Sequence, residues 1–112
     1  MFEKNLAISD LLDTYSAVLS GRHRELLDYY YNQDLSLAEI AELVGISRQG
    51  VRDSIKKAED ELFFLEERLH LLKKMNSLRE AAEQILPHAD ENTARAVQKM
   101  LLAAGLTEEE GV

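Results

Sequence analysis

The residues best suited to chemistry in this sequence form a short polar run at positions 47–52. Ser47 is followed by Arg48, Gln49 and Arg52, at the place where a helix is predicted to begin. Arginine side chains hydrogen-bond guanine in the major groove of DNA, and glutamine side chains hydrogen-bond adenine. The N-terminus of a helix also carries a positive partial charge, which attracts phosphate. The run therefore indicates a surface that reads base edges.

Basic residues extend this predicted surface, although the chain of 112 residues has a net charge of −8. Between positions 47 and 58, four bases stand against one acid, Asp53. Asp53 would repel phosphate unless it accepts a hydrogen bond from a cytosine amine or pairs with Arg48, Lys56 or Lys57. Two arginines nearer the N-terminus are further candidates for phosphate contacts. The predicted nucleic-acid-binding residues are Ser47, Arg48, Gln49, Arg52, Lys56, Lys57, Arg22 and Arg24.

Catalytic and metal-binding patterns do not match this sequence. The segment 45–50 is one residue too long for the G-x-S-x-G motif of hydrolases, and no predicted strand precedes it. Val51 and Arg52 stand where a phosphate-binding loop requires Lys followed by Ser or Thr. The three histidines are far apart and the chain has no cysteine, so a metal site is not indicated. We therefore expect no enzyme, no cofactor and no metal.

Two predicted helices joined by a tight turn hold the polar run, in the pattern of a helix-turn-helix. Ser36 and Glu39 form a capping box at the start of the first helix. Gly45 suits the left-handed conformation that ends this helix, and Ser47 caps the next one. Glycine-containing helical hairpins without any DNA function share part of this pattern, so DNA contact is a separate inference. The predicted buried face of the first helix is Leu37, Ile40, Ala41, Leu43 and Val44, and the residues predicted to set the interhelical angle are Ile40, Val44, Ile46 and Val51.

The remaining sequence predicts an all-α fold of about six helices. Residues 2–18 and 22–31 form the first two, because apolar residues recur there at helical spacing. The helix that follows the tight turn meets no stop signal before Pro87. A last helix is capped by Asp90 or Asn92.

The long helix carries two offset apolar seams. The offset implies a bend, a break near Asn76-Ser77, or a change of partner. Because the N-terminal domain is short, we expect a second copy of the chain to cover the distal part of the first seam, at Leu65, Leu69 and Leu72, or at their neighbours Phe64 and Leu71. A monomer that covers this part with its first helix, through Phe2, Leu6 and Tyr15, is the alternative. The first seam is Ile55, Ala58, Leu62, Leu65, Leu69 and Leu72, and the second is Leu71, Met75, Leu78, Ala82 and Ile85.

Three consecutive tyrosines, Tyr29, Tyr30 and Tyr31, lie near the end of the second predicted helix. Successive residues point about 100° apart on a helix, so at most two of them face the core together. We expect Tyr30 to join the core with Leu26 and Leu27. An exposed tyrosine would instead bond a phosphate or pack on a partner.

Charge divides the chain into two predicted domains. Residues 1–58 form the helix-turn-helix domain with its N-terminal helix. Residues 59–112 hold twelve acids against six bases and form an acidic helical extension for dimerisation or partner binding. The longest apolar run is five residues, far short of the roughly 20 needed to span a bilayer. With no cysteine for disulfides, we expect a cytoplasmic protein without membrane contact.

Several short motifs of this sequence resemble known proteins. Residues 35–62 resemble region 4 of bacterial sigma factors, in their E-I-A, G-I-S, V-R and K-A-x-x-x-L elements. A closer resemblance, over residues 1 to about 86, is to the YlxM family of small proteins from Firmicute bacteria. That family joins SLAEIAE and SRQ-x-V-x-D-x-I-K to an acidic helix of the EERL-x-LLKK type. Residues 36–42, 47–56 and 66–74 carry these three motifs.

The resemblance implies a sigma-region-4-like helix-turn-helix with a long C-terminal helical extension, in a DNA-binding regulatory protein. It also implies a link to protein targeting by the signal recognition particle, because genes of this family commonly lie beside the gene of the particle's GTPase. The expected partners are double-stranded DNA, a second copy of the chain and a component of that particle. The alternative function is a protein-interaction module whose acidic helix binds a basic partner. RNA binding is less favoured, because the major groove of A-form RNA excludes a helix.

Overall fold

Residues 7–107 are described by a computed structural model, and they contain helices and no strand. Short 3-10 helices at Ser16–Val18 and Leu86–His88 and a π-helical turn at Asp28–Asn32 connect the main elements. The predicted all-α fold is confirmed, whereas the predicted contacts of Phe2 and Leu6 lie outside the described residues. The six α-helices are α1 (Ala7–Tyr15), α2 (Gly21–Leu27), α3 (Leu37–Val44), α4 (Arg48–Leu69), α5 (Leu71–Ile85) and α6 (Glu91–Ala103).

Helices α3 and α4 form the predicted helix-turn-helix, and side-chain caps determine where each helix begins. The Ser36 hydroxyl accepts a hydrogen bond from the Glu39 amide at 3.0 Å, and the Glu39 carboxylate accepts one from the Ser36 amide at 3.0 Å. The hydrogen bond from the Ser36 amide, together with the Ser36 side chain, holds the pKa of the Glu39 carboxyl below its ordinary value. Gly45 ends α3 with a φ of 74°, and Ser47 caps α4. The capping box, the glycine turn and the second cap are all confirmed.

The core of the first compact unit, which extends to His70, is built around α4. This helix packs against α1, α2 and α3, because its apolar residues recur every three or four positions on one face. Tyr30 is buried as predicted and joins Leu26 and Leu27 in this core. The buried apolar residues of the unit are Ile8, Leu11, Leu12, Tyr15, Leu19, Leu26, Leu27, Tyr30, Ile40, Val51, Ile55, Ala58 and Leu62.

The buried face of α3 is narrower than its sequence indicates. Ile40 is fully buried, but Leu43 is 62% exposed, so the prediction that Leu43 is buried is wrong. Ile46 was predicted to help set the interhelical angle, yet it is 39% exposed, and its side chain lies beside Gly50 at the start of α4. Helix α3 has only eight residues and packs mainly on α4, so it buries a single stripe, the one centred on Ile40.

A break at His70 divides the helical segment in which the sequence shows no stop signal before Pro87. His70 has a φ of 52°, and its amide donates to the Glu66 carbonyl at 2.8 Å, so α4 ends at Leu69. A break near Asn76-Ser77, one of the three explanations given for the seam offset, does not occur, because α5 is continuous through both residues. The first apolar seam does not continue to Leu72 on one helix. The boundary expected between residues 58 and 59 falls inside α4, whereas the first compact unit extends to His70.

The second compact unit is a hairpin of α5 and α6. Asp90 is the cap of α6, and its carboxylate accepts a hydrogen bond from the Thr93 amide at 2.7 Å. Gly105 follows α6 with a φ of 74°. None of the helices within residues 7–107 combines the length and the apolar character that a membrane span requires.

Replacing Gly45 by alanine should destabilise the protein by about 1–2 kcal/mol, because Gly45 has a positive φ that a side chain resists. Gly21 is the matched control. A Cβ at either glycine meets no other atom within 4 Å, but only Gly45 has a positive φ. Gly21→Ala should leave stability unchanged or raise it slightly. Urea denaturation of both variants measures the difference, and equal stabilities would contradict the role given to Gly45.

Candidate nucleic-acid interface

The exposed first turn of α4 is capped by Ser47. The Ser47 hydroxyl accepts a hydrogen bond from the Gly50 amide at 2.9 Å, which fixes the start of the helix. A Cβ on Gly50 would lie 3.1 Å from the Ser47 hydroxyl oxygen and 3.5 Å from the side chain of Ile46. Glycine at this position therefore makes room for the Ser47 cap.

Three basic side chains form a stripe along the first three turns of α4. Arg48, Arg52 and Lys56 follow one another at intervals of four residues, so they lie on one side of the helix, and all three are exposed. Lys57 is exposed on the neighbouring side. Lys56 also lies 4.0 Å from the Asp60 carboxylate, but an exposed pair of this kind contributes little to stability. The structure thus brings together the bases that the sequence placed at residues 47–57.

Gln49 and Asp53 form a hydrogen-bonded pair beside this stripe. The Gln49 side-chain amide donates to the Asp53 carboxylate at 2.9 Å. The Asp53 carboxylate already has a hydrogen-bond partner, the glutamine one turn earlier. Neither a cytosine amine nor a basic side chain is therefore needed to satisfy it. An ionised carboxylate only accepts hydrogen bonds, so the amide nitrogen of Gln49 has to face it. The carbonyl oxygen and the second N–H of Gln49 remain to match the N6 amine and N7 of adenine.

Arg22 and Arg24 lie on α2, away from the start of α4. Between them in sequence, His23 lies 3.0 Å from the Glu61 carboxylate, which is nine residues beyond Arg52 and about 14 Å farther along the helix. Arg24 donates to the Ser16 carbonyl at 3.4 Å. The structure therefore does not bring these two arginines into the stripe, and any phosphate they contact lies to its side.

Hydrogen bonds between α4 carboxylates and side chains of the N-terminal helices orient α4, and the sequence reading missed them. The Tyr31 hydroxyl donates to Glu59, and the Tyr15 hydroxyl donates to Glu66 at 2.5 Å. Together with the His23–Glu61 contact, these bonds engage three acids that had been assigned to an open, partner-facing surface. The only indication in the sequence was that Glu59 and Glu66 each follow a seam position, 58 and 65, by one residue. Each of these two acids therefore lies next to the buried face.

Comparisons with known proteins agree with this architecture. The model of the family UPF0122, described as "Putative helix-turn-helix protein, YlxM / p13 like", matches residues 2–101. A UPF0122 protein of Caldanaerobacter subterraneus subsp. tengcongensis is 48% identical over 75 residues, which are 67% of this chain and 64% of the relative. A UPF0122 protein of Clostridium kluyveri is 42% identical over 88 residues, 79% of each chain. One of Oceanobacillus iheyensis is 37% identical over 101 residues, 89% of this chain and 96% of the relative.

The match covers most of the chain and includes the helix-turn-helix of α3 and α4 together with α5 and most of α6. The chain spans just under two thirds of the length of the Caldanaerobacter relative and most of the length of the Oceanobacillus relative. On the family model and on these identities, the chain belongs to the YlxM / p13-like family of helix-turn-helix proteins.

Proposed function

We propose that this chain is a DNA-binding regulatory protein that inserts the start of α4 into the major groove. The observation that carries the proposal is the exposed stripe of Arg48, Arg52 and Lys56 on a capped helix N-terminus. A helix-turn-helix presents the first turns of its second helix to base edges. No catalytic step is part of this function, and we place the protein in the cytoplasm.

The side chains divide between base reading and phosphate binding. Arg48, Gln49 and Arg52 occupy the first turn and a half of α4, the part that enters the groove in proteins of this type. Lys56 and Lys57 follow one turn later, where the helix leaves the groove, and they bind phosphate groups of the DNA backbone. Ser47 holds the helix N-terminus, whose free amides also favour phosphate. Arg22 and Arg24 contribute at the side of the interface, through the longer-range field of their charges.

A homodimer is part of this proposal. A single module with few bases, in a chain with a net charge of −8, gains little from phosphate contacts. Two copies double the number of contacts, and they place two reading helices on one duplex, as helix-turn-helix dimers do.

Fluorescence anisotropy with labelled random and genomic duplexes, measured at several salt concentrations, tests the function. Two lysine–phosphate contacts per copy predict a slope of log affinity against log salt of about −2 for a monomer and about −4 for a dimer. A duplex selected from a random pool should bind more tightly than its scrambled version. Absence of binding, or binding that ignores salt, would contradict DNA binding.

Asp53→Asn should tighten binding to random duplexes and reduce the preference for the selected site. The substitution removes a negative charge that faces the phosphates together with the exposed stripe. It also replaces the Asp53 carboxylate, which only accepts hydrogen bonds, by an amide that both donates and accepts them. The side-chain amide of Gln49 is then no longer held in one orientation. Glu67→Gln, at an exposed acid near the far end of α4, is the matched control and should change neither quantity. Competition between the selected and random duplexes measures both effects.

The second candidate function is a protein-interaction module that acts on a component of the signal recognition particle. The observation that favours it is a pair of exposed aromatic side chains on α4, Phe63 and Phe64. Acidic residues offer it less support, because Glu59, Glu61 and Glu66 are engaged within the first unit. Binding that requires a protein partner and shows little salt dependence would favour this module over DNA reading.

A further inference from the structure

The hairpin of α5 and α6 has an apolar groove that is lined by residues 78–85 and 97–104. Ala82, Val97 and Leu101 are its more buried members, and Leu78, Ile85 and Met100 are exposed at it. Its volume is about 150 Å³, enough for one group of the size of benzene. Every side chain that lines it is apolar, so nothing in the groove holds a charged or hydrogen-bonding ligand.

The hairpin buries very little of its own apolar surface. Among residues 71–107, Ala82 is the one buried residue. Met100 is 63% exposed, and Leu78, Ile85 and Leu102 are exposed as well. Each helix of the pair has an apolar stripe that has to pack on another element to be stabilised. Two helices of this length are too few to supply a core by themselves.

A second copy of the hairpin fits this face better than a charged partner does. Residues 71–107 hold five bases and four acids, so two hairpins meet without strong repulsion although the whole chain is acidic. The same near-neutral charge offers no attraction that would select a strongly basic or acidic protein. Each copy also supplies both a groove and an exposed Met100 large enough to enter one. A two-fold axis pairs such complementary features twice.

We propose that the α5–α6 face is the interface between two copies of this chain, packed as a four-helix bundle. Met100 and Ile85 of each hairpin fill the groove of the other. This rests on the homodimer of the proposed function and names its surface. The helices are about 22 and 20 Å long, and the groove is lined by residues 78–85 and 97–104, about 11 Å of each helix.

Sedimentation velocity of the full chain tests the interface without DNA. At tens of micromolar the wild-type protein should sediment at twice the chain mass of 12.7 kDa. Met100→Glu and Ile85→Glu each place two like charges in the apolar interface and should raise the dimer Kd by at least about 100-fold. Asn92→Glu adds the same charge to the same helix at an exposed position outside the groove and two turns before Met100, and should leave the dimer intact.

Circular dichroism establishes that the glutamate variants keep the wild-type helix content, and hydrogen exchange supplies a second measurement. Amide exchange in α5 and α6 should slow as the wild-type concentration rises, while exchange in α3 stays unchanged. A wild-type monomer, or a dimer that survives both groove variants, overturns the proposal. Dissociation by Leu69→Glu alone also overturns it, because that result places the interface at the end of α4. A dimer that dissociates as expected but binds no duplex leaves this interface standing and refutes the DNA-binding function.

Discussion

Alanine at Arg48 or at Arg52 should weaken binding to a selected duplex by about 5- to 150-fold. Each arginine is expected to pair with a guanine, and one good base pairing contributes about 1–3 kcal/mol of discrimination. Both side chains are exposed at the start of α4, so neither substitution removes packing from the core. Thermal melting of both variants should therefore match that of the wild-type protein.

Arg68→Ala is the control for this pair. Arg68 lies on the same helix and loses the same charge, but it is 16 residues beyond Arg52, about 24 Å along the axis, where its guanidinium covers the ring of Phe64. Its removal should leave DNA affinity nearly unchanged. If all three variants bind alike, α4 does not read the groove through its first turns. An equal loss on selected and random duplexes would assign the two arginines to phosphate contacts.

Ile40→Ala should destabilise the first unit by about 2–5 kcal/mol. Ile40 is the fully buried residue of α3, and truncation removes its apolar contacts and leaves a cavity. Because this side chain anchors α3 on the rest of the unit, its loss should also weaken DNA binding by loosening the helix-turn-helix. Urea denaturation and anisotropy on the same preparation measure the two effects.

Leu43→Ala supplies the matched comparison on the same helix. Its side chain is 62% exposed, so truncation should change stability by no more than about 0.5 kcal/mol. The apolar pattern alone predicts similar losses for both positions, since both were assigned to the buried face. Equal destabilisation would contradict the narrow contact of α3 with its neighbours.

Local chemistry made several parts of this fold predictable. The Ser36–Glu39 box, the cap at Ser47 and the glycine at position 45 depend on residues at most three positions apart. Such contacts form between neighbours in sequence, so the sequence predicts them directly. The apolar spacing of Val51, Ile55, Ala58 and Leu62 likewise identified the buried face of α4, because helical geometry places these positions on one side.

The break between α4 and α5 could not be predicted in the same way. His70 adopts a left-handed conformation that histidine tolerates but does not signal. No glycine or proline marks the position, and the apolar repeat continues through it. Helix α4 ends there although the local pattern favours one long helix, so the seam that was predicted to reach Leu72 ends at Leu69.

By itself, the sequence determined an all-helical chain whose second capped helix carries an exposed row of bases. Only the tertiary structure decided which acids of α4 accept hydrogen bonds from other parts of the first unit. Glu59 and Glu66 accept hydrogen bonds from Tyr31 and Tyr15, residues 28 and 51 positions away. Local rules of capping and periodicity act within one or two helical turns, whereas these bonds exist because α1 and α2, with the π-helical turn that follows α2, are packed beside α4. Contacts between residues so far apart in sequence depend on the packing of the whole unit.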